Sequence, residues 1–303
     1  MPDSEGWFRI GHHTNEAGQT GCTVILFDEL KPATVDVRGG APGTRETALL
    51  SSGRLVGRAD AVVLTGGSAF GLATADGVMR YLLEQGRGIP TSAIAVPIVP
   101  AAVIYDLANG AAVWPTADDG YQAAATATTL DSDLAGRIGA GTGATVAKLG
   151  GGSQPGGLGI ATISVGSMSV TAVVVVNAVG DIVDPANGAS LAGAVDAEGR
   201  ARSARELVLA GAATARSGEN TTIGAVLIDG DIDRGSLQRC CVAAHDALAR
   251  CVVPAHTIFD GDTFFAIGRA VRQLSPVETL RISTATEIAV ERAIVSIFNS
   301  ATG

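Results

Sequence analysis

LGIATISVGSMSVTAVVVV, residues 158–176, decides the fold class. Two apolar runs, 158–165 and 168–176, flank the pair Gly166-Ser167, the pattern of a tight antiparallel hairpin. Working outward, residues 22–27, 34–37, 61–64 and 222–228 read as further short strands. Helices are expected over 44–57, 68–83 and 236–250. A last one over 277–298 gathers Ile282, Ala285, Ala289, Ala293 and Ile297 on one apolar face. Antiparallel hairpins interleaved with helices imply a layered α/β sandwich, not a doubly wound parallel sheet. Two linker-like regions interrupt the pattern, 136–157 and 184–220, and the second ends directly before Thr221.

The 303 residues suffice to bury about three quarters of the surface exposed on unfolding. Aliphatic residues dominate the 47% hydrophobic share, aromatics make only 4% of the chain, and with 40 glycines this suits close-packed layers, not disorder. Thirty acids against 21 bases, with no basic cluster, exclude nucleic acid and anionic membrane as main partners. The run Val173–Val176 with its flanks is too short to span a bilayer. MPDSEGWFRIGHH has no basic region followed by an apolar run, so a cytoplasmic protein is expected. Cys22, Cys240, Cys241 and Cys251 accordingly read as reduced, mostly buried thiols.

Several familiar patterns fail on inspection. GAGTGATVAKLGGGS lacks the Gly-Lys-Ser/Thr of a phosphate-binding loop, because Lys148 lies between Ala147 and Leu149. Asp229, Asp231 and Asp233 begin like a calcium loop, but Arg234 takes the glycine position and Cys240 the bidentate glutamate, which leaves a solvated turn. His12, His13, His245 and His256 form no metal-binding pair, so no metal and no cofactor are expected, and His245 reads as a helix-flank residue. His256 near Asp260 suggests a Ser-His-Asp set, but no G-x-S-x-G elbow supplies the serine.

Thr221 opens the run TTIGAVLID. A hydroxyl at the start of a buried strand can be held against its own peptide bond. Attack on the Asn220 carbonyl then gives an ester, and water frees a new amino terminus. The released α-amine, with an ordinary pKa of about 7.7–8.0, can serve as base for the adjacent Oγ. The same residues also fit an ordinary strand start.

The segments RIGHHTNEAGQTGCTVILF, ADAVVLTGGSAFGLATADGVMRYLLEQGRG, AVIYDL, GAGTGATVAKL, VVVVNAVGD, ENTTIGAV and AHTIFDGDTFFAI follow one another in this order. Together they resemble the L-aminopeptidase/D-amidase-esterase family of N-terminal-nucleophile hydrolases, from about His12 to about Ile267. That family includes β-peptidyl aminopeptidases and endo-acting nylon-oligomer hydrolases. The resemblance implies an α-β-β-α sandwich, a single domain cut into a large subunit, 1–220, and a small one, 221–303. It further implies assembly into a homo-oligomer of cleaved heterodimers. Thr221 would be the nucleophile freed by cleavage after Asn220, and Lys148 would sit beside it and help set its protonation. Asn177 would donate to the oxyanion, Asp260 and Asp262 would orient the Thr221 amine and Lys148, and Tyr105 would line the substrate pocket.

The chain departs from the family at two points. It lacks the extra amino-terminal region of the nylon hydrolases, and it has Thr where the aminopeptidase branch usually has Ser, as the nylon hydrolases do. The expected activity is hydrolysis of amide bonds in small peptide-like or ω-amino-acid oligomers. The alternatives are an aminopeptidase acting only on amino-terminal residues, an ornithine-acetyltransferase-like acyltransferase, and an uncleaved structural homo-oligomer.

Overall fold

The computed structural model describes residues 6–130, 134–150, 152–196, 199–211 and 219–299. Up to residue 125 the chain forms β1 (Phe8–Asn15), β2 (Thr20–Val37), β3 (Thr44–Arg45), α1 (Thr47–Leu50), β4 (Arg58–Thr65), α2 (Thr74–Glu84), β5 (Ala101–Val103) and α3 (Ala117–Ala125). Next come β6 (Thr145–Val146), β7 (Gln154–Pro155), β8 (Gly157–Val165), β9 (Met168–Asn177), β10 (Asp181–Val183), β11 (Ser190–Ala192) and α4 (Ala204–Leu209). The last part supplies β12 (Thr221–Asp231), α5 (Arg234–Cys251), β13 (Val252–Val253), β14 (Thr263–Ala270) and α6 (Pro276–Asn299).

The strands run in the order β3-β5-β4-β2-β14-β12-β9-β8, with β1 on β2. The expected strands 22–27 and 34–37 are one element, β2. It breaks register between Leu26 and Lys31, pairs β1 and β4 along its first part, and pairs β14 from Ala33 to Val37. One strand thus passes from one sheet into the other. Alternation along the strands then builds the layers. On β9, Val170, Ala172, Val174 and Val176 pack with Leu237, Cys241 and Leu248 of α5 and Ala289 and Ala293 of α6. The opposite face, Val173 and Val175, meets Ile25 of β2 and Val62 and Leu64 of β4. The far face of that second sheet, with Val24, Leu26 and Val63, is covered by Val78 and Leu82 of α2 and Ala123 and Ala124 of α3. The result is the expected α-β-β-α sandwich.

The hairpin β8–β9 forms as read, with Gly166 at φ +65° in the first turn position, where that sign suits a tight two-residue connection. On the expected apolar face of α6, Ile282, Ala285, Ala289 and Ala293 are buried. The helix expected over 44–57 does not form beyond the four residues of α1. Glu46, Gly53 and Gly57 all take positive φ, which no helix continues through. The one expected over 68–83 begins as a tighter 3₁₀ turn, Ser68–Ala73, before α2. Asp233 is not a solvated turn residue: it caps α5, its Oδ1 accepting the Ser236 amide at 3.0 Å. His245 is fully buried on α5 and not at its flank. All four cysteines are buried and unpaired. The region 136–157 carries β6 and β7, and 184–220 carries β11 and α4. The stretch 212–218 lies outside the described residues. Among the described residues no helix is long and apolar enough to cross a membrane.

Gly159 of β8 lies close under α6, for a Cβ there would land on the Ala293 carbonyl oxygen and 3.1 Å from Ile297 Cγ1. Gly159→Val is therefore expected to destabilise the fold by about 1–3 kcal/mol through overpacking. The measurement is urea unfolding; a midpoint equal to the parent's would contradict the close fit.

Candidate active site

β12 runs down the sheet between β9, antiparallel, and β14, parallel. Its first residue, Thr221, lies opposite Asn177, the last residue of β9, and both are buried. The Thr221 Oγ1 hydroxyl donates to the carbonyl oxygen of Asn220. That same oxygen accepts the Gly261 amide at 3.0 Å. Gly261 has to be glycine, because a Cβ would stand 2.8 Å from both Thr221 Oγ1 and the Ala41 carbonyl oxygen. The lack of a side chain lets a backbone donor close on the bond before Thr221.

Lys148 reaches the same place from the loop before β7. Ala147 turns the chain at φ +56°, and the Lys148 amide is fixed on the Val179 carbonyl at 2.9 Å. Its Nζ donates to Asn177 O at 3.1 Å, Asn177 Oδ1 at 2.9 Å and Glu219 O at 2.9 Å. Burial pulls its pKa down to about 7, against the opposing charges of Asp260, Glu219 and Asp106. The Asn177 side chain is held on both ends. Its Oδ1 also accepts the Thr145 amide at 3.0 Å, while Nδ2 donates to Tyr105 O at 3.1 Å and Glu219 O at 3.3 Å. In the uncut chain this amide therefore faces the carbonyl one peptide upstream of Asn220. A cleft of about 230 Å³ opens beside it, lined by Tyr105, Asn109, Thr145, Lys148, Ser153 and Glu219.

The loop before β14 closes the site from the other side. Asp260 accepts the Thr257 amide at 2.8 Å and its hydroxyl at 2.6 Å. Burial, then the neighbouring Asp262 charge, push its carboxyl up to about 6. Asp262 Oδ1 accepts the amide of Thr222 at 2.7 Å, and Oδ2 accepts the amide and Nδ1–H of His256 at 3.1 and 2.8 Å. The carboxylate that His256 meets is thus Asp262 and not Asp260. Asp262 grips the residue after Thr221, while Asp260 stiffens the loop that carries Gly261. The sequence reading passed over Gly261, Glu219 and the engagement of His256. Only the glycine between two aspartates in FDGD signals a backbone donor there.

The site therefore holds a hydroxyl on a carbonyl, a backbone donor on that carbonyl's oxygen, a buried amine of lowered pKa and a satisfied amide. These are the parts of acyl transfer to a hydroxyl. Among the described residues no three His, Cys, Asp or Glu side chains are grouped to hold a metal ion.

The sequence matches the model of peptidase family S58 over residues 5–303. An uncharacterized aminopeptidase of Mycobacterium tuberculosis is 41% identical over 293 residues, covering 89% of this chain and 82% of that protein. The 6-aminohexanoate-oligomer endohydrolase of Paenarthrobacter ureafaciens is 34% identical over 266 residues, covering 85% and 72%. Among solved structures, the L-aminopeptidase D-Ala-esterase/amidase of Ochrobactrum anthropi, described as a variant of the Ntn hydrolase fold, superposes with a TM-score of 0.72. That match has 18% identity and covers 97% of this chain and 84% of the other. The α-β-β-α sandwich is thus of the N-terminal-nucleophile-hydrolase type. With a whole-chain match and relatives this similar along most of its length, the chain belongs to peptidase family S58, the L-aminopeptidase/D-amidase family.

Proposed function

We propose that the chain cuts itself between Asn220 and Thr221 and then hydrolyses amides with Thr221 as its amino-terminal nucleophile. The observation that carries this reading is the Thr221 hydroxyl on the Asn220 carbonyl, whose oxygen is also bound by the Gly261 amide. In processing, Oγ attacks the Asn220 carbonyl carbon, Gly261 N–H stabilises the oxyanion, and the Oγ proton passes through neutral Lys148 to the leaving Thr221 nitrogen. Water then hydrolyses the Asn220–Oγ ester, which restores the hydroxyl and leaves fragments 1–220 and 221–303. In turnover the freed α-amine takes the Oγ proton, Oγ attacks a substrate amide, and the proton leaves with the departing amine. Water releases the acyl group. Asn177, relieved of Glu219, turns its Nδ2 donor to the substrate oxyanion, and Tyr105 lines the acyl pocket.

The proposed substrate is a small, elongated, uncharged amide such as a peptide-like or ω-amino-acid oligomer. This follows the endohydrolase relative and a cleft lined by few charged side chains. The aminopeptidase relative favours a second reading, release of amino-terminal residues alone. Amino-blocked oligomers separate the two, being cut internally in the first case and untouched in the second.

The test is intact mass of freshly refolded protein over time at several pH values. Lys148 is neutral only above pH about 7, so the processing rate should climb about tenfold per unit below that and bend there. The smaller fragment should begin at Thr221. A single unbroken mass at every pH after long incubation would count decisively against self-cleavage.

A further inference from the structure

Behind Asp262 lies a pair of histidines that the chemistry so far leaves unused. His256 takes φ +55°, a conformation that costs a β-carbon residue energy and persists only where its surroundings impose it. That backbone aims both ring nitrogens at acceptors: Nδ1 at Asp262 Oδ2, 2.8 Å, and Nε2 at the His245 carbonyl oxygen, 3.4 Å. A ring whose two nitrogens both face acceptors is satisfied only as the cation. Its neighbour is the opposite case. His245 donates Nε2–H to the Asp36 carbonyl at 3.0 Å, while its buried Nδ1 has no partner. Burial drops its pKa to about 4 and keeps it neutral, and its ring stands edge-on to His256 with centroids 4.8 Å apart.

We infer that His256 is a positioning residue held as an imidazolium, whose two N–H donors tie Asp262 to the His245 carbonyl and so clamp Asp262 on the Thr222 amide. The inference rests on Thr221 being the nucleophile, because Thr222 is the residue through which the clamp sets the nucleophile's place. The charged groups around His256 agree with this. Asp262 faces it from its own loop, His245 from α5 is neutral, and Arg38, just past the end of β2, is engaged by Asp36 at 3.1 Å and Asp246 at 3.6 Å. Burial and, less, Arg38 pull the His256 pKa down, but the Asp262 hydrogen bond and charge with the His245 carbonyl together raise it above its ordinary value.

As pH rises the imidazolium loses one of its two N–H donors, one of the two acceptors is left facing a lone pair, and the clamp loosens, so processing and turnover should fall again on the alkaline side, giving a bell. His256→Asn keeps a donor near the Nδ1 position, tolerates positive φ and cannot titrate. It should lose the alkaline limb while keeping turnover at neutral pH within about tenfold of the parent. His256→Gly accepts the backbone without strain and removes the donor. It should lose about 10²-fold, with partial recovery in added imidazole, which a merely structural role would not show. In the uncut Thr221→Ala chain, the His256 Cε1–H resonance should titrate above 6.5 and move down on Asp262→Asn. An unchanged alkaline limb in His256→Asn, no imidazole recovery in His256→Gly, or an ordinary His256 titration would each overturn the inference. Normal cleavage of Thr221→Ala would sink the nucleophile assignment instead, and the resonance would still report on the clamp.

Discussion

Replacing Thr221 with alanine is expected to leave the chain in one piece and to lower amide turnover by at least about 10⁴-fold. The size follows from two losses with one cause. Without Oγ no ester can form at Asn220, so the α-amine proposed as base is never released, and no atom remains to accept the substrate acyl group. The fold should survive, because alanine removes only a methyl and a hydroxyl from a site that is 4% exposed. Two companions sharpen the result. Thr221→Ser keeps the hydroxyl and should process. Thr222→Ala should also process, because Asp262 holds the Thr222 backbone amide while its buried hydroxyl has no partner. A denaturing gel and amino-terminal sequencing decide it. Cleavage of Thr221→Ala at the parent's rate would remove Thr221 from the mechanism.

Asn177→Ala is expected to cost about 10²–10³ in kcat on a chromogenic amide, the usual effect of deleting one oxyanion donor. Processing should slow as well, because the Asn177 side chain bridges Lys148 to the carbonyls of Tyr105 and Glu219. Some of the loss will be structural. Alanine strands the Thr145 amide and removes one of three acceptors from Lys148, so the melting temperature should be measured alongside. Asn177→Asp divides the two contributions. It preserves size and the acceptor for Lys148 but sets an oxygen against the Tyr105 and Glu219 carbonyls. Near-normal kcat in either variant would take the donor role from Asn177.

The hairpin β8–β9 and the strand β12 were legible as long apolar runs bounded by turn residues, and α6 by the helical spacing of its apolar face. The false helix over 44–57 shows where pattern fails. Its alanine and leucines suit a helix, but the conformations of Glu46, Gly53 and Gly57 are set by context. β1 and β14 went unread. Polar His12, His13 and Thr14 follow Ile10 on β1, and β14 ends in exposed Arg269 and Ala270, so neither shows clean alternation. In the site, side chains were easier to find than backbone. Thr221, Lys148, Asn177, Asp260 and Asp262 stand in recognisable motifs, and the structure brings all five to one end of β12 and β9. The Glu219 carbonyl carries no residue-type signal, since every residue owns one, and only the bare glycine in FDGD hints at the Gly261 amide. The partner of His256 was misjudged because a side chain's reach depends on a left-handed turn that only the fold imposes.

The sheet order has a consequence for the life of the molecule. β12 and β14 follow residue 220 in the chain, whereas β9 and β2, which flank them, precede it. A chain severed after Asn220 would thus be two polypeptides, the smaller wedged as the pair β14–β12 between β2 and β9 of the larger, with a ladder joining the pieces on either side. Before the cut, folding is a first-order event of one chain. After it, any full opening lets the pieces diffuse apart, and recovery becomes a second-order search that dilution defeats. Such an enzyme would be assembled once and then last as long as its slowest opening allows, so its endurance is a matter of rate and not of equilibrium.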